Sequence, residues 1–224
     1  MKKAIFLDFY GTVVHENGPQ SYKVIERVFN SGNASSPEEA VLHWSHTFQK
    51  RLEGAQGDNH RLQYDLALES FEEVLDHFNS KENAKELCDL MVDHWCNPPI
   101  YDDAKKFLRY SNLPIYFVTN SDDSFINQAI NNHGLKANGI ITSEQAKYSK
   151  PMKEIFLYAL EKSGLKAHEV VHIGDSLSSD IECANAAGIE AIWLNRYNKP
   201  VPTGITAASN FEEIPKYISL SKGQ

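Results

Sequence analysis

The chain has 224 residues, 42% of them apolar, and carries a formal net charge of −8. That length accommodates one ordinary domain with an insertion, or two small domains, and supplies enough apolar material for a core. Lys and Arg are scattered rather than clustered, which argues against nucleic acid and anionic membrane as partners, since both need a concentrated basic surface.

The apolar run Ala4–Leu7 behind Met1-Lys2-Lys3 is cut at once by Asp8 and is too short for a secretory leader. No stretch is long and apolar enough to span a bilayer. Cys88, Cys96 and Cys183 have no metal-ligand spacing, and their odd number argues against a disulfide framework. The expectation is a cytoplasmic protein with reduced thiols.

Short apolar runs bounded by turn residues follow along the chain at Ala4–Phe9, Ile115–Thr119, Gly139–Thr142, Val170–Gly174 and Ala191–Leu194. They are nearly continuous in Ile, Val and Phe rather than alternating, which predicts strands of a parallel sheet covered on both faces. Helical patterns fall between them at Asp102–Tyr110, Asp123–His133, Lys153–Ser163 and Ser179–Ala187; Gly134, Gly164 and Gly188 stop three of these. The alternation predicts a doubly wound α/β fold with right-handed crossovers, whose ligands bind outside the carboxyl ends of the strands.

Residues from about 20 to 97 break this rhythm: their apolar positions repeat at helical spacing. Tyr22, Ile25, Val28 and Phe29 predict one helix face, and Phe71, Val74, Leu75 and Phe78 another. Ser36-Pro37-Glu38-Glu39 reads as a capped helix start. We expect roughly four helices inserted after the first strand, with Gly54–Asn59 as a mobile inner loop. The expected division is a sheet domain of residues 1–15 and 98–224 and an all-helical domain of residues 16–97, with a frayed C-terminus at Ser219–Gln224.

Four segments at strand ends carry chemistry. Asp8 closes the first strand, where a carboxylate can act as a nucleophile; Gly11 and Thr12 follow it in a turn that can offer backbone N–H groups to an anion. Thr119 and Asn120 close the second strand and can hydrogen-bond an anionic oxygen. Lys150, before Pro151, can neutralise a nucleophile and a substrate anion together. Asp175 and Asp180, five apart after another buried strand, suit a hard cation such as Mg²⁺. Each segment alone is equally an ordinary turn, cap or first-turn acid.

Taken together in this order, the four segments resemble the haloacid dehalogenase (HAD) superfamily, whose pattern is Asp-x-Asp-Gly-Thr, a strand-end Ser or Thr, a Lys, and Gly-Asp-x3–4-Asp. The resemblance implies a Rossmann-like core with a helical cap, and Asp8 as nucleophile and metal ligand. It further implies a Mg²⁺ site from Asp8, the backbone carbonyl of Tyr10, Asp175 and Asp180, with Asp180 touching the metal, its waters or Lys150. Gly11, Thr12, Thr119 and Asn120 would hold the substrate anion, and Lys150 would offset charge.

The chain departs from that pattern at Tyr10, where phosphatases of the family carry a second Asp as general acid and base. Asp-x-Tyr-Gly-Thr resembles the 2-haloacid dehalogenase branch, in which a halide leaves without a proton. The last motif resembles the phosphatases instead: the dehalogenases carry Ser and Asn where this chain has Asp175 and Leu177. Three clustered acids without a cation repel one another. The resulting expectation is a Mg²⁺-dependent phosphohydrolase acting on a small anionic metabolite through an aspartyl-phosphate. The alternatives are hydrolysis at a carbon centre and a non-catalytic binding protein.

His15 is a possible substitute for the missing acid, against its simpler reading as a polar residue at the hinge. Trp44, Phe48, Tyr64, Phe71 and Trp95 can line a substrate pocket or form the core of the helical domain, and Arg51 and Arg61 can meet an anion or simply face water. The cap is expected to close over the site, hinged near residues 14–20 and 97–100. Both a monomer and a homodimer are compatible with the sequence.

Overall fold

A computed structural model describes residues 2–218, so the expected fraying at Ser219–Gln224 lies outside the described residues. Six strands form one all-parallel sheet in the order β3-β2-β1-β4-β5-β6. They are β1 (Ala4–Leu7), β2 (Ile115–Thr119), β3 (Gly139–Thr142), β4 (Val170–Gly174), β5 (Glu190–Leu194) and β6 (Thr206–Ala208). β1 lies in register between β2 and β4, with Ile5 opposite Ile115 on one side and Val171 on the other. All four of its residues are buried, which is why the strand reads as a continuous apolar run.

The order reverses at β1: the chain first builds outward through β2 and β3, then returns to β4 on the other side. Such a switch point opens a crevice at the carboxyl ends of the two central strands. Asp8 follows β1 and Asp175 follows β4, so both stand at that crevice.

Five strands coincide with the apolar runs; β6 has no such signature. Thr206-Ala207-Ala208 is short and weakly β-prone, and its pairing with Ile192–Leu194 of β5 rather than its own composition makes it a strand. Helices cover both faces, and the positive φ of Gly134, Gly164 and Gly188 bears out the predicted stops. The helix expected at Ser179–Ala187 differs: a wide π turn at Leu177–Glu182 runs into a single α turn at Cys183–Ala186. Ser176 starts it earlier by accepting from the N–H of Ser179 at 3.2 Å.

By contacts the chain forms two compact units. The first takes the chain up to Glu16, Pro99–Asn120 and everything from Gly134 onward, and holds the whole sheet. The second takes Asn17–Pro98 and Ser121–His133. It comprises α1 (Pro19–Ser31), α2 (Pro37–Gly54), α3 (Gln63–His77), α4 (Ala84–Cys96) and the later helix α6 (Asp123–His133); α5 (Asp102–Tyr110) belongs to the first unit.

Ser36 caps α2 as its sequence predicts, and Phe71, Val74, Leu75 and Phe78 are all buried. The face predicted for α1 is rotated: Val24 and Val28 are buried with Ser21, whereas Tyr22 is exposed. The Ser21 hydroxyl accepts from the N–H of Gly18 and donates to its carbonyl, which satisfies it in a buried position at the helix start. The expected inner loop is shortened, because α2 runs through Gly54 and Gly57–Asn59 forms a 3₁₀ turn.

Candidate active site

The sheet unit brings Asp8, Lys150, Asp175 and Asp180 together. Lys150 Nζ donates to Asp8 Oδ1 and to Asp180 Oδ1, each at 2.6 Å, with all three side chains buried. Asp8, Asp175 and Asp180 each offer an oxygen lying within 4.8 Å of the others. Two glycines make this proximity possible. A Cβ on Gly174 would stand 2.2 Å from Asp180 Cγ, and one on Gly11 2.6 Å from Asp175 Oδ2. Gly11 also has φ +84°, a conformation that side chains disfavour.

Neighbouring elements fix each side chain in turn. Trp193 of β5 donates its indole N–H to the Asp175 carbonyl at 2.8 Å, and the Thr12 hydroxyl donates to Asp175 Oδ1 at 3.2 Å. Arg196 donates to the Thr12 carbonyl at 2.8 Å, pairs with Asp103 at 3.1 Å and lies 3.7 Å over the Tyr101 ring. The turn Gly11–Thr12 is thus bound from both sides. Thr119 is buried at the end of β2, and the Asn120 side chain clasps the backbone of Lys150.

Electrostatics show what the cluster lacks. Two like charges about 5 Å apart repel by roughly 3 kcal/mol at an effective dielectric near 20. One lysine among three carboxylates leaves an excess of negative charge. Burial raises the Asp8 carboxyl, against the opposing pull of Lys150. Burial, then Asp8, Asp180 and Glu16, push Asp175 up to about 8. Asp180 is different: burial acts to raise it, but Lys150 and His172 hold it well below the usual carboxylate range.

Asp8 Oδ2 is buried with no hydrogen-bond partner among the described residues. A hard divalent cation binding through oxygen would satisfy that acceptor and relieve Asp175, so the donor set fits such an ion. Asp180 is more committed, since Oδ1 accepts from Lys150 and His172 and Oδ2 from the N–H of Ser176. Of the three expected carboxylate ligands, Asp8 and Asp175 are the ones with capacity to spare.

The second unit accounts for its own polar and aromatic residues. Arg51 pairs with Glu73 at 2.8 Å, and Arg61 pairs with Glu69 at 2.7 Å. Trp44 stacks on Phe48 and Phe71, and Trp95 packs against Phe125. The aromatic contacts are those of helix packing, and the ion pairs lie at the unit's solvent-facing surface.

His15 stacks on Tyr101 with ring centroids 3.7 Å apart, and burial together with Arg196 lowers it. Glu16, which the sequence reading passed over, stands instead in the field of the active-site charges. Its side chain is exposed, so solvent screens part of that field. The direction is upward: what hydration the carboxyl loses, then Asp8 and Asp180, raise it against the pull of Lys150, toward about 7 at most. Glu16 carries no motif signal, because a lone acid beyond a turn is ordinary. The sequence reading also missed His172, although a histidine inside the apolar run Val170–Ile173 is a visible anomaly.

The family model for haloacid dehalogenase-like hydrolases matches residues 2–188. The chain is 35% identical over 89 residues to HAD-hydrolase YfnB of Bacillus subtilis, and 33% over 97 residues to the pyrimidine 5′-nucleotidase YjjG of Escherichia coli. These stretches cover 38% of each chain for YfnB, and 42% of this chain and 43% of YjjG, well under two thirds of either relative.

Among solved structures, YfnB bound to magnesium superposes with a TM-score of 0.79 at 20% identity, over 98% of this chain and 99% of that one. The L-2-haloacid dehalogenase of Xanthobacter autotrophicus with chloropropionic acid covalently bound superposes with a TM-score of 0.76 at 14% identity, over 96% and 98%. At these identities the structural likeness speaks for the fold. With the parallel sheet, the aspartate–lysine cluster and a family match over most of its length, the chain belongs to the haloacid dehalogenase-like hydrolases.

Proposed function

We propose that this hydrolase is a Mg²⁺-dependent phosphatase of small phosphate monoesters, with Asp8 as the nucleophile. The observation that carries the proposal is the cluster of buried Asp8 and Asp180 and half-buried Asp175 around a single Lys150, with Asp8 Oδ2 unsatisfied. Chemistry at a carbon centre has no use for that excess of negative charge, whereas a phosphoryl substrate arrives with the cation that balances it. The activities for which YjjG and the Thermus thermophilus phosphoserine phosphatase, 24% identical over 168 residues, are named support the same class.

In this reading Asp8, the Tyr10 carbonyl and Asp175 hold Mg²⁺, which supplies charge stabilisation to the phosphoryl oxygens. Thr119 and the main chain of Gly11, Thr12 and Asn120 bind and orient those oxygens. Asp8 attacks phosphorus to give an aspartyl-phosphate, and water then hydrolyses it. Lys150 keeps the Asp8 carboxylate ionised and turned toward the substrate. Tyr10 leaves the departing alkoxide without the usual acid, and the carboxyl we assign to that proton is Glu16, which follows the Gly11–Thr12 turn and is raised by lost hydration and by the charges of Asp8 and Asp180.

Tyr10 favours a second reading, hydrolysis at a halogen-bearing carbon, because a halide leaves unprotonated. The decisive experiment measures phosphate release from a panel of phosphomonoesters with Mg²⁺ or EDTA, beside halide release from 2-haloacids. Phosphate release lost in EDTA and absent from Asp8→Asn is expected; EDTA-insensitive halide release overturns the proposal.

A further inference from the structure

Beneath the site the fold buries a histidine that the chemistry above does not use. His172 lies in β4 with no exposed surface, two residues before Gly174. Alternate strand residues point to one face, so its ring emerges on the same side as Gly174. That is the face where the missing Gly174 side chain admits Asp180. His172 Nε2 stands 3.0 Å from Asp180 Oδ1, the oxygen that also accepts from Lys150 Nζ at 2.6 Å. The ring packs edge-on to Phe156 with centroids 4.6 Å apart, and Nδ1 meets no hydrogen-bond partner among the described residues.

These contacts settle which atom donates. Asp180, held ionised, offers only acceptors, so the nitrogen facing it must carry a proton. Nε2 is therefore the donor in this contact.

We propose that His172 is a positioning residue for Lys150, acting through Asp180. Its N–H holds Oδ1 while the Ser176 N–H holds Oδ2 at 3.0 Å, so the carboxylate plane is fixed at both oxygens. The terminal torsion of an aspartate is broad and soft, and a lysine has four torsions of its own. Without His172, the carboxylate keeps the Ser176 contact at Oδ2 and, at Oδ1, only the flexible lysine it is meant to anchor. Lys150 then loses its fixed place on Asp8 Oδ1. The line His172–Asp180–Lys150–Asp8 thus carries order from the floor of β4 to the nucleophile. Its consequence for turnover rests on the roles of Asp8 and Lys150 proposed above.

The test compares His172→Leu, which removes the donor, with His172→Gln, which returns an N–H at similar reach. Turnover is followed by phosphate or halide release, whichever the wild-type enzyme shows. Removal of a hydrogen-bond partner standing behind a metal-site residue costs roughly 10–100-fold in activity, and His172 stands in that relation to Asp180. We expect kcat to fall by that factor in His172→Leu with KM nearly unchanged, and to recover largely in His172→Gln at a similar melting temperature. A wild-type kcat in His172→Leu overturns the proposal, and so does an equal loss in both variants.

An independent reading comes from ¹⁵N-histidine spectra of the wild-type protein, with the His172 ring signal assigned through its backbone by triple-resonance spectra. A protonated Nε2 is expected. A ring whose Nε2 carries no proton overturns the proposal whatever reaction the enzyme catalyses, and also when neither variant folds. Absence of both products with Nε2 protonated counts against the phosphatase reading alone.

Discussion

Asn120 and Lys150 clasp each other through two hydrogen bonds: the Asn120 carboxamide donates to the Lys150 carbonyl at 2.8 Å and accepts from its N–H at 2.7 Å. The strand-end asparagine therefore orders the backbone from which the lysine reaches Asp8. Asn120→Ala is expected to lower kcat by roughly 10–100-fold, with the melting temperature little changed. Steady-state kinetics beside a thermal melt check this, and an unaltered kcat would remove the clasp from the mechanism.

The helical unit contains a second long-range clasp. α3 has no side-chain cap from Leu62, and Asp122 takes its place: Oδ1 accepts from the N–H of Gln63 at 2.7 Å and Oδ2 from that of Tyr64 at 3.1 Å. An acid at a helix N-terminus also answers the helix dipole. Asp122→Ala should cost ~1–2 kcal/mol of stability, the upper part of the range for a lost cap. Urea denaturation measures it, and a change of only a few tenths would mean that water replaces the carboxylate.

These two clasps mark where the sequence stops being legible. Asp8, Lys150, Asp175 and Asp180 stand out because each follows a strand or opens a helix, and one sheet edge collects strand ends whatever the details. The five apolar strands are legible for the same reason, since burial on both faces writes a continuous pattern. What each side chain bonds to depends on register and on approach distances set by glycines such as Gly174. So Asn120 reads as an anion ligand and is found holding Lys150. Asp180 reads as a metal ligand and is found committed to Lys150, His172 and Ser176. β6, with neither pattern nor propensity, is written only in its neighbour.

Charge crowding gives a prediction for stability. Asp175 is pushed from its ordinary 3.8 up to about 8 by burial and by its acidic neighbours. Between those values the folded chain keeps a proton that the unfolded chain has lost. Stability in EDTA should therefore fall as pH rises through this window. His15 and His43, both lowered, act in the opposite sense below their ordinary 6.5, so the clearest interval lies above about pH 6.5. Mg²⁺ should restore the loss and raise the melting temperature more at about pH 8 than at about pH 6.5. For a chain of this length ~1 kcal/mol corresponds to roughly 2–4 °C. A Mg²⁺ shift that shrinks with pH would mean the carboxylates do not bind the ion.

The proton that Tyr10 cannot provide yields the last prediction. An alkyl phosphate expels an alkoxide and needs an acid, whereas p-nitrophenyl phosphate expels a stable phenolate and does not. Glu16, at about 7, is protonated below that pH and ionised above it, so turnover of alkyl phosphates should decline above about pH 7. Glu16→Gln should cost ~10²–10⁴-fold on the alkyl substrate, the usual worth of a positioned acid, while leaving p-nitrophenyl phosphate nearly untouched. Adding Tyr10→Asp to that variant supplies a carboxyl two residues beyond the nucleophile and should recover much of the loss. Equal losses on the two substrates would show that Glu16 shapes the site rather than donating a proton. No loss on either would leave the departing oxygen to be protonated by water, in an enzyme slow on every alkyl phosphate it accepts.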